Sequence, residues 1–339
     1  MQQVIFIAPG KLAWREANEP TLQGANEAIV KPIVVGRCDL DTLYVTGRMP
    51  LASGEPIGHE IIAEIVALGD GVSRTFTVGQ RVIVSAQICC GACRMCRLRF
   101  TGRCEAVVFG ASYGMGRAGN YGGGLADLLR VPFADAMLVP IPINADPTKM
   151  IGLADMATDA WRAVGPTLAE KRGATVLVLG GATPVIGIYA AGIAVSLGAA
   201  VVHYIDTDPQ RRERAIAYGA HAFTTLEEAE QREYEIIVDA SGSATQLLAA
   251  LRRAAPEAIV TCVAPAVAGP SFPMQELYMK GVTFNVGRPN CRAGHDGALH
   301  AWSACGFNPD LITPNVYSFK EACDAWCDPS LYVAVSRLT

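Results

Sequence analysis

Four cysteines, Cys90, Cys93, Cys96 and Cys104, fall within the fifteen residues "CGACRMCRLRFTGRC", with two, two and seven residues between them. Thiolates at that spacing can close a tetrahedron around zinc. A site filled by four protein sulfurs has no open position, so the ion would tie a lobe together and take no part in a reaction. Cys89, directly in front, is the spare, because using it breaks the two-residue spacing. The chain holds eleven cysteines, and its first residues, "MQQVIFIAPGKLAW", have neither the charged start nor the long apolar core of an export signal. The expected compartment is therefore the cytosol, where thiols stay reduced and metal ligation is favoured over a disulfide framework. Cys262, Cys291, Cys305, Cys323 and Cys327 are scattered and read as small buried hydrophobes.

A second chemistry lies in "GGATPVIG", where Gly180, Gly181 and Gly187 follow an apolar strand and open a helix. Backbone N–H groups and the positive end of a helix dipole favour a pyrophosphate at such a turn. The spacing departs from Gly-x-Gly-x-x-Gly: Gly181 to Gly187 is one residue longer, with Ala182 and Pro184 where glycine is usual. Val185 and Ile186 complete the turn. Asp206 ends the next strand, nineteen residues beyond Gly187, followed by Thr207. An acidic group there can accept both ribose hydroxyls and would repel a 2′-phosphate, so the expected cofactor is NAD rather than NADP. Arg211, five residues on, is placed to pair with the ribose or a phosphate.

The elements that must position these residues divide the chain in two. Residues 1 to about 155 read as short strands rich in glycine and proline. From about 173, "TVLVLG", "AVVHYID", "EIIVDASG", "AIVTCVAP" and "VTFNVG" alternate with helical segments, the pattern of a parallel sheet covered on both faces. The stretch from about 290 returns to mixed character, helix-like near Gly297–Ser303 and Phe319–Trp326. Ala174–Val202 carries no charge and is long enough to cross a bilayer, but Gly180, Gly181 and Pro184 would break a spanning helix at its middle; it reads as a buried β-α-β unit. At 339 residues, 51% hydrophobic, 18% charged and net −4, the chain suits a soluble enzyme with two cores and offers no basic surface for nucleic acid or an anionic membrane.

Cys38 in "GRCDLD", His59 and Glu60 in "GHE", and Asp155 in "GLADMATDAW" each have a dull explanation taken singly. Together with the four-cysteine lobe and a dinucleotide half ending in "DTDP", they resemble the zinc-dependent medium-chain alcohol dehydrogenases, from the first strand to the C-terminal helices. The resemblance implies an α/β fold: a mainly-β GroES-like catalytic domain over 1–156 and 290–339, with its zinc lobe at about 89–105, and a doubly wound Rossmann domain over 157–289. It implies a catalytic zinc on Cys38, His59 and Asp155, with Glu60 as an occasional fourth ligand and Asp41 buttressing the histidine. Asp155 in place of cysteine looks like the microbial secondary-alcohol branch. Two zinc ions per chain, NAD, a small or medium alcohol or carbonyl substrate and a homodimer or homotetramer follow from the same resemblance. Val263 and Arg288 complete the expected cofactor contacts.

The chain departs from the family where the alcohol proton leaves. Leu40 stands where serine or threonine is usual, and Leu43 where some members have a relay histidine. Thr42, close to Cys38, and Asp159, one helical turn after Asp155, are the candidate substitutes. The run "GMGRAGNYGGG" (114–124) is expected as a mobile loop beside the pocket, and Trp161 as either a pocket wall or a core aromatic. A polyol or sugar dehydrogenase, a metal-free quinone or enoyl reductase, and a non-catalytic NAD-binding redox sensor are the alternative functions.

Overall fold

Ala28–Gly36, "AIVKPIVVG", and Glu60–Leu68, "EIIAEIVAL", are β-branched runs that pair antiparallel, with Gly36 opposite Glu60. They form the centre of a seven-stranded sheet in a computed structural model that describes residues 1–116, 119–229, 232–265 and 271–338. The path runs Asn315–Ser318, Val333–Ser336, Ala28–Gly36, Glu60–Leu68, Arg81–Val84, Leu138–Pro140, and Leu129–Val131 also pairs with Ala28–Gly36. Ile61, Ala63 and Ile65 alternate onto one face with Val35, Val82, Val84 and Trp326, and Ile62, Ile83 and Val34 fill the other. Full burial of each such side chain contributes about 1.5–3 kcal/mol, and Ile61→Ala would cost about 2–5 kcal/mol. This sheet belongs to a unit made of Met1–Thr158, Asn290–Asp296 and the stretch from Thr313.

The second unit, Asp159–Pro289 with Gly297–Ile312, holds six parallel strands. Their spatial order is His221–Phe223, Val201–Ile205, Thr175–Leu179, Tyr234–Asp239, Ala254–Cys262, Thr283–Val286. Numbered along the unit this is 3-2-1-4-5-6, the order of the dinucleotide-binding Rossmann fold, with its reversal between Thr175–Leu179 and Tyr234–Asp239. Helix Pro184–Ser196 is buried along nearly its whole length, as its uncharged sequence requires. Among the described residues no helix is long and apolar enough to cross a membrane. The three-residue edge strand His221–Phe223 is too short to show in the sequence pattern.

One boundary differs from the sequence expectation, which put all of 290–339 in the first unit. Residues 297–312 belong to the second. Gly297 lies against the Trp161 ring, where a side chain would overlap it, and Phe307 stacks on Tyr218 at 5.6 Å and meets Tyr189 edge-on at 5.4 Å. The two tyrosine hydroxyls donate to the Asn308 and Pro309 carbonyls. Aromatic contact of this kind outweighs chain proximity.

Candidate metal and dinucleotide sites

The register of the central pair builds the first site. With Gly36 opposite Glu60, Cys38 just past one strand and His59 just before the other come to the same end of the sheet. Cys38 caps helix Asp39–Val45, and Asp155 arrives from the junction between the 3₁₀ turn Ile151–Ala154 and helix Met156–Glu170. Ligand atoms of Cys38, His59 and Asp155 all lie within 4.8 Å of one another, and all three residues are buried.

The arrangement fits a divalent cation. His59 Nε2 is 3.3 Å from Asp155 Oδ2, and Nδ1 is 3.5 Å from Asp41 Oδ2. A neutral imidazole has one N–H, so without a cation one carboxylate faces a bare nitrogen. Two ligands at ~2.0–2.1 Å from zinc and a tetrahedral angle apart are themselves about 3.3 Å apart. A cation taking Nε2 and Oδ2 would remove the conflict and leave the Nδ1–H facing Asp41, a carboxylate that accepts the Cys38 N–H at 3.2 Å. Burial pushes the Cys38 thiol well above its usual value, helped by Asp155 and Glu60. Burial opposes charge on His59, but Asp41, Asp155 and Glu60 outweigh it and push the imidazole up to about 9. Burial likewise lifts Asp41 to about 6 and Glu60 to about 8. Desolvation raises Asp155 too, yet its bond to His59 holds it below the usual carboxylate range. Such a crowd of buried acids around a thiol and an imidazole is what a cation relieves.

Cys90, Cys93, Cys96 and Cys104 form a second set with ligand atoms within 4.8 Å of one another, all as free thiols. Cys93 Sγ and Cys104 Sγ are 4.0 Å apart, near the ~3.8 Å of two sulfurs at 2.3 Å from a tetrahedral zinc. Backbone N–H groups of Cys93 and Ala92 donate to Cys90 Sγ, and Glu105 N–H to Cys93 Sγ. The Glu105 N–H and the Cys96 N–H together bring the Cys93 thiol down to about 6. Cys89 stands apart, fully buried, its thiol pushed up to about 12 by desolvation. The lobe's own elements are only helix Arg94–Arg97 and the turn Thr101–Arg103.

In the second unit the glycine loop hugs its neighbours. A Cβ at Gly180 would overlap the Asp206 carboxylate and Tyr204 hydroxyl, and one at Gly181, where φ is +149°, would strike the Ser241 backbone. Ala182 N–H and Thr183 N–H donate to the Ser241 and Ala240 carbonyls, and Gly187 lets the helix carrying Val185 and Ile186 close on Ala240. Asp206 is buried at the end of Val201–Ile205; Tyr204 donates to Oδ2 at 3.0 Å and Asp208 N–H to Oδ1 at 2.9 Å. Arg211 Nη1 donates to the Gly181 carbonyl at 3.0 Å and lies 3.6 Å from Asp206, so it links the loop to the acid. Thr207 follows Asp206 directly, and Val263 N–H donates to the Asp239 carbonyl. Arg288 is partly buried after Thr283–Val286.

The structure places the remaining expected residues as follows. Glu60 is outside the ligand set: Met156 N–H holds Oε1 at 3.2 Å and the Tyr332 hydroxyl holds Oε2 at 2.7 Å, with Gly36 leaving room for both groups. Asp159 does not share a helix face with Asp155, because Asp155, at φ −148° and ψ −67°, precedes the helix. Its carboxylate pairs instead with Arg162, which also reaches the Gly287 carbonyl. Trp161 is half-buried, with its ring against Gly165 and Gly297. The two ends of the glycine run are packed: Gly114 lies on the Gly58 backbone and Gly124 N–H donates to the Gly58 carbonyl at 2.7 Å, next to His59. Arg117 and Ala118 of that run lie outside the described residues. Thr42 is half-buried in helix Asp39–Val45. Of the scattered cysteines, Cys262 and Cys291 are buried, Cys305 and Cys323 half-buried and Cys327 exposed. Cys291 is no bland hydrophobe, since its thiol donates to Asp155 Oδ1 at 3.0 Å. Neither it nor Tyr332 carries a motif that sequence reading could catch.

Fold and sites define a protein with a Rossmann unit and a β unit that carries two metal-binding constellations, one of four sulfurs and one of three mixed ligands. Residues 24–143 match the alcohol dehydrogenase GroES-like domain. The chain is 30% identical over 276 residues to a "Probable zinc-binding alcohol dehydrogenase" of Mycobacterium tuberculosis, covering 78% of this chain and 68% of that one. It therefore belongs to the zinc-type alcohol dehydrogenases of the medium-chain dehydrogenase/reductase family. It is 32% identical over 229 residues, 64% of its own length, to the glutathione-independent formaldehyde dehydrogenase of Pseudomonas aeruginosa, and spans 56% of that relative. The solved alcohol dehydrogenase TADH from Thermus sp. ATN1 superposes with a TM-score of 0.86 at 28% identity over 99% of both chains.

Proposed function

We propose that this chain is a zinc-dependent oxidoreductase that moves hydride between NAD(H) and a small or medium alcohol/carbonyl pair. The observation that carries the reading is the convergence of Cys38, His59 and Asp155, whose ligand atoms lie within 4.8 Å of one another, with no fourth protein ligand in the set among the described residues. Zinc bound there would supply a Lewis acid that makes a substrate hydroxyl more acidic, and nicotinamide would supply the hydride acceptor.

The chain's own residues do the rest. Cys38, His59 and Asp155 hold the metal, and Asp41 fixes the His59 tautomer through Nδ1. Leu40, Ala86, Met115 and Cys291 pack as one apolar cluster, which favours an apolar alcohol over a polyol and keeps water away. Asp159 is committed to Arg162, so the alcohol proton passes to Thr42 or directly to water. Asp206 selects NAD by accepting ribose hydroxyls, while Gly180 and Gly181 let the loop close around the pyrophosphate. The edge strand Thr283–Val286, with Val286, Tyr278 and Met279 exposed, supports pairing of two copies edge to edge. The expected setting is the cytosol, which suits eleven free thiols.

The test is absorbance of reduced cofactor with NAD and a panel of alcohols, before and after chelation. Turnover that a chelator abolishes and zinc restores supports the proposal. Two metals per chain and bound NAD, with no turnover across the panel, would instead make it a cofactor sensor.

A further inference from the structure

Asp155 is the least constrained of the three ligands by its own local structure. It sits outside helical geometry, between the 3₁₀ turn Ile151–Ala154 and helix Met156–Glu170, and a carboxylate offers a metal either one oxygen or two. Helix Cys291–Cys305 meets it from the side. Cys291 is the first residue of that helix, 1% exposed, with its N–H held by Gln87 Oε1 at 3.2 Å. Its thiol donates to Asp155 Oδ1 at 3.0 Å, while Oδ2 faces His59. Cys291 lies outside the group of mutually close ligand atoms found among the described residues, and its thiol meets the ligand Asp155.

One turn on, His295 is fully buried, and its Nε2 lies 2.9 Å from the Ala154 carbonyl, while Nδ1 has no partner among the described residues. The proton must therefore sit on Nε2. Gly294 lies between them and faces Thr158; a Cβ there would come within 2.8 Å of the Thr158 side chain. On the opposite flank Glu60 Oε1 takes the Met156 N–H. The peptide groups before and after Asp155 are thus both held, and so is the carboxylate oxygen that does not face His59.

We propose that the first turn of helix Cys291–Cys305 is a clamp that fixes Asp155 as a one-oxygen metal ligand, with Cys291 gripping the side chain and His295 the backbone. The inference rests on the metal-site reading above. Cys291 and His295 are positioning residues; they act through Asp155.

The test compares wild type, Cys291→Ala and Cys291→Ser, each loaded with cobalt(II), by chelator competition and by the visible d–d spectrum. The four-cysteine lobe serves as internal reference. Cys291→Ala should weaken the three-ligand site by about 10- to 100-fold, the usual effect of losing an outer-shell partner, and shift its d–d bands. Cys291→Ser, which keeps a donor, should stay within about 3-fold of wild type on the same scale, and the lobe should be unchanged in both. Wild-type affinity and spectrum in Cys291→Ala overturn the clamp, and so does equal weakening in Ala and Ser, which would mark a packing effect. A wild-type protein that binds metal in the lobe alone overturns the underlying site as well, and is told apart by metal count before any variant is made.

Discussion

Replacing Asp206 by alanine should turn the cofactor preference around, and the size of the change can be worked from the structure. The buried carboxylate accepts from Tyr204 and Asp208 N–H and still has lone pairs for two ribose hydroxyls. Hydrogen bonds to a charged group are worth about 1.5–3 kcal/mol each. Allowing for water replacing part of that in the variant, kcat/KM with NAD should fall about 30- to 150-fold, at 1.4 kcal/mol per tenfold. The same substitution removes a negative charge that repels a 2′-phosphate by about 4 kcal/mol per unit charge pair at ~4 Å and an effective dielectric of ~20. It also frees Arg211, 3.6 Å from Asp206 and anchored on the Gly181 carbonyl, to meet that phosphate. The ratio of kcat/KM for NAD over NADP should therefore drop by at least about 1,000-fold. The assay is initial rate against each cofactor at one ionic strength. A ratio within 3-fold of wild type, read on the same scale, would show that Asp206 does not meet the ribose.

Gly36→Ala should destabilise the β unit by several kcal/mol in urea titration, because its Cβ would overlap the Glu60 carboxylate that Tyr332 and Met156 hold. Metal affinity at Cys38–His59–Asp155 should rise with pH: binding needs the Cys38 thiolate and neutral His59, both of which are held protonated to higher pH than usual, so two protons leave and the apparent constant should climb up to about 100-fold per unit below pH 9. Zinc titrations between pH 6 and 8 check the slope, and a flat profile refutes it. Asp159→Asn should leave the pH–rate curve in place, since its partner is Arg162, and cost about 1–3 kcal/mol in thermal melts by removing the charged partner of a cation that keeps only backbone carbonyls. Cys96→Ser should open the lobe to protease around Leu98–Phe109, where Leu98, Phe100, Val108 and Phe109 are already exposed, while the three-ligand site still takes up metal.

The parts legible in the sequence are those in which chemistry and spacing share one short window. Four cysteines within fifteen residues announce their tetrahedron, and unbroken apolar runs such as "TVLVLG" announce a parallel sheet. Cys38, His59 and Asp155 share no window; what joins them is the opposition of Gly36 and Glu60 across a sheet, a fact of tertiary pairing. They were reachable by family resemblance and not by spacing. Asp159 was misplaced because helix spacing was applied from Asp155, which lies before the helix begins. The glycine run looked loose because glycine usually frees a chain; here its missing side chains allow close backbone contact with Gly58. Cys291 could not be read at all, since a single buried thiol in "NCRAGH" gives no sign of the carboxylate it meets.

One chain carries two coordination sets of different softness, four sulfurs in the lobe against the sulfur of Cys38, a nitrogen of His59 and an oxygen of Asp155. Soft thiolates discriminate for zinc, whereas a carboxylate makes a site more accommodating to harder ions such as cobalt, manganese or ferrous iron. Under zinc scarcity the architecture would be kept intact by the greedier set while the reactive one exchanged its ion with whatever the cell supplied. Of the two ions, the one in the lobe would then be the harder to exchange.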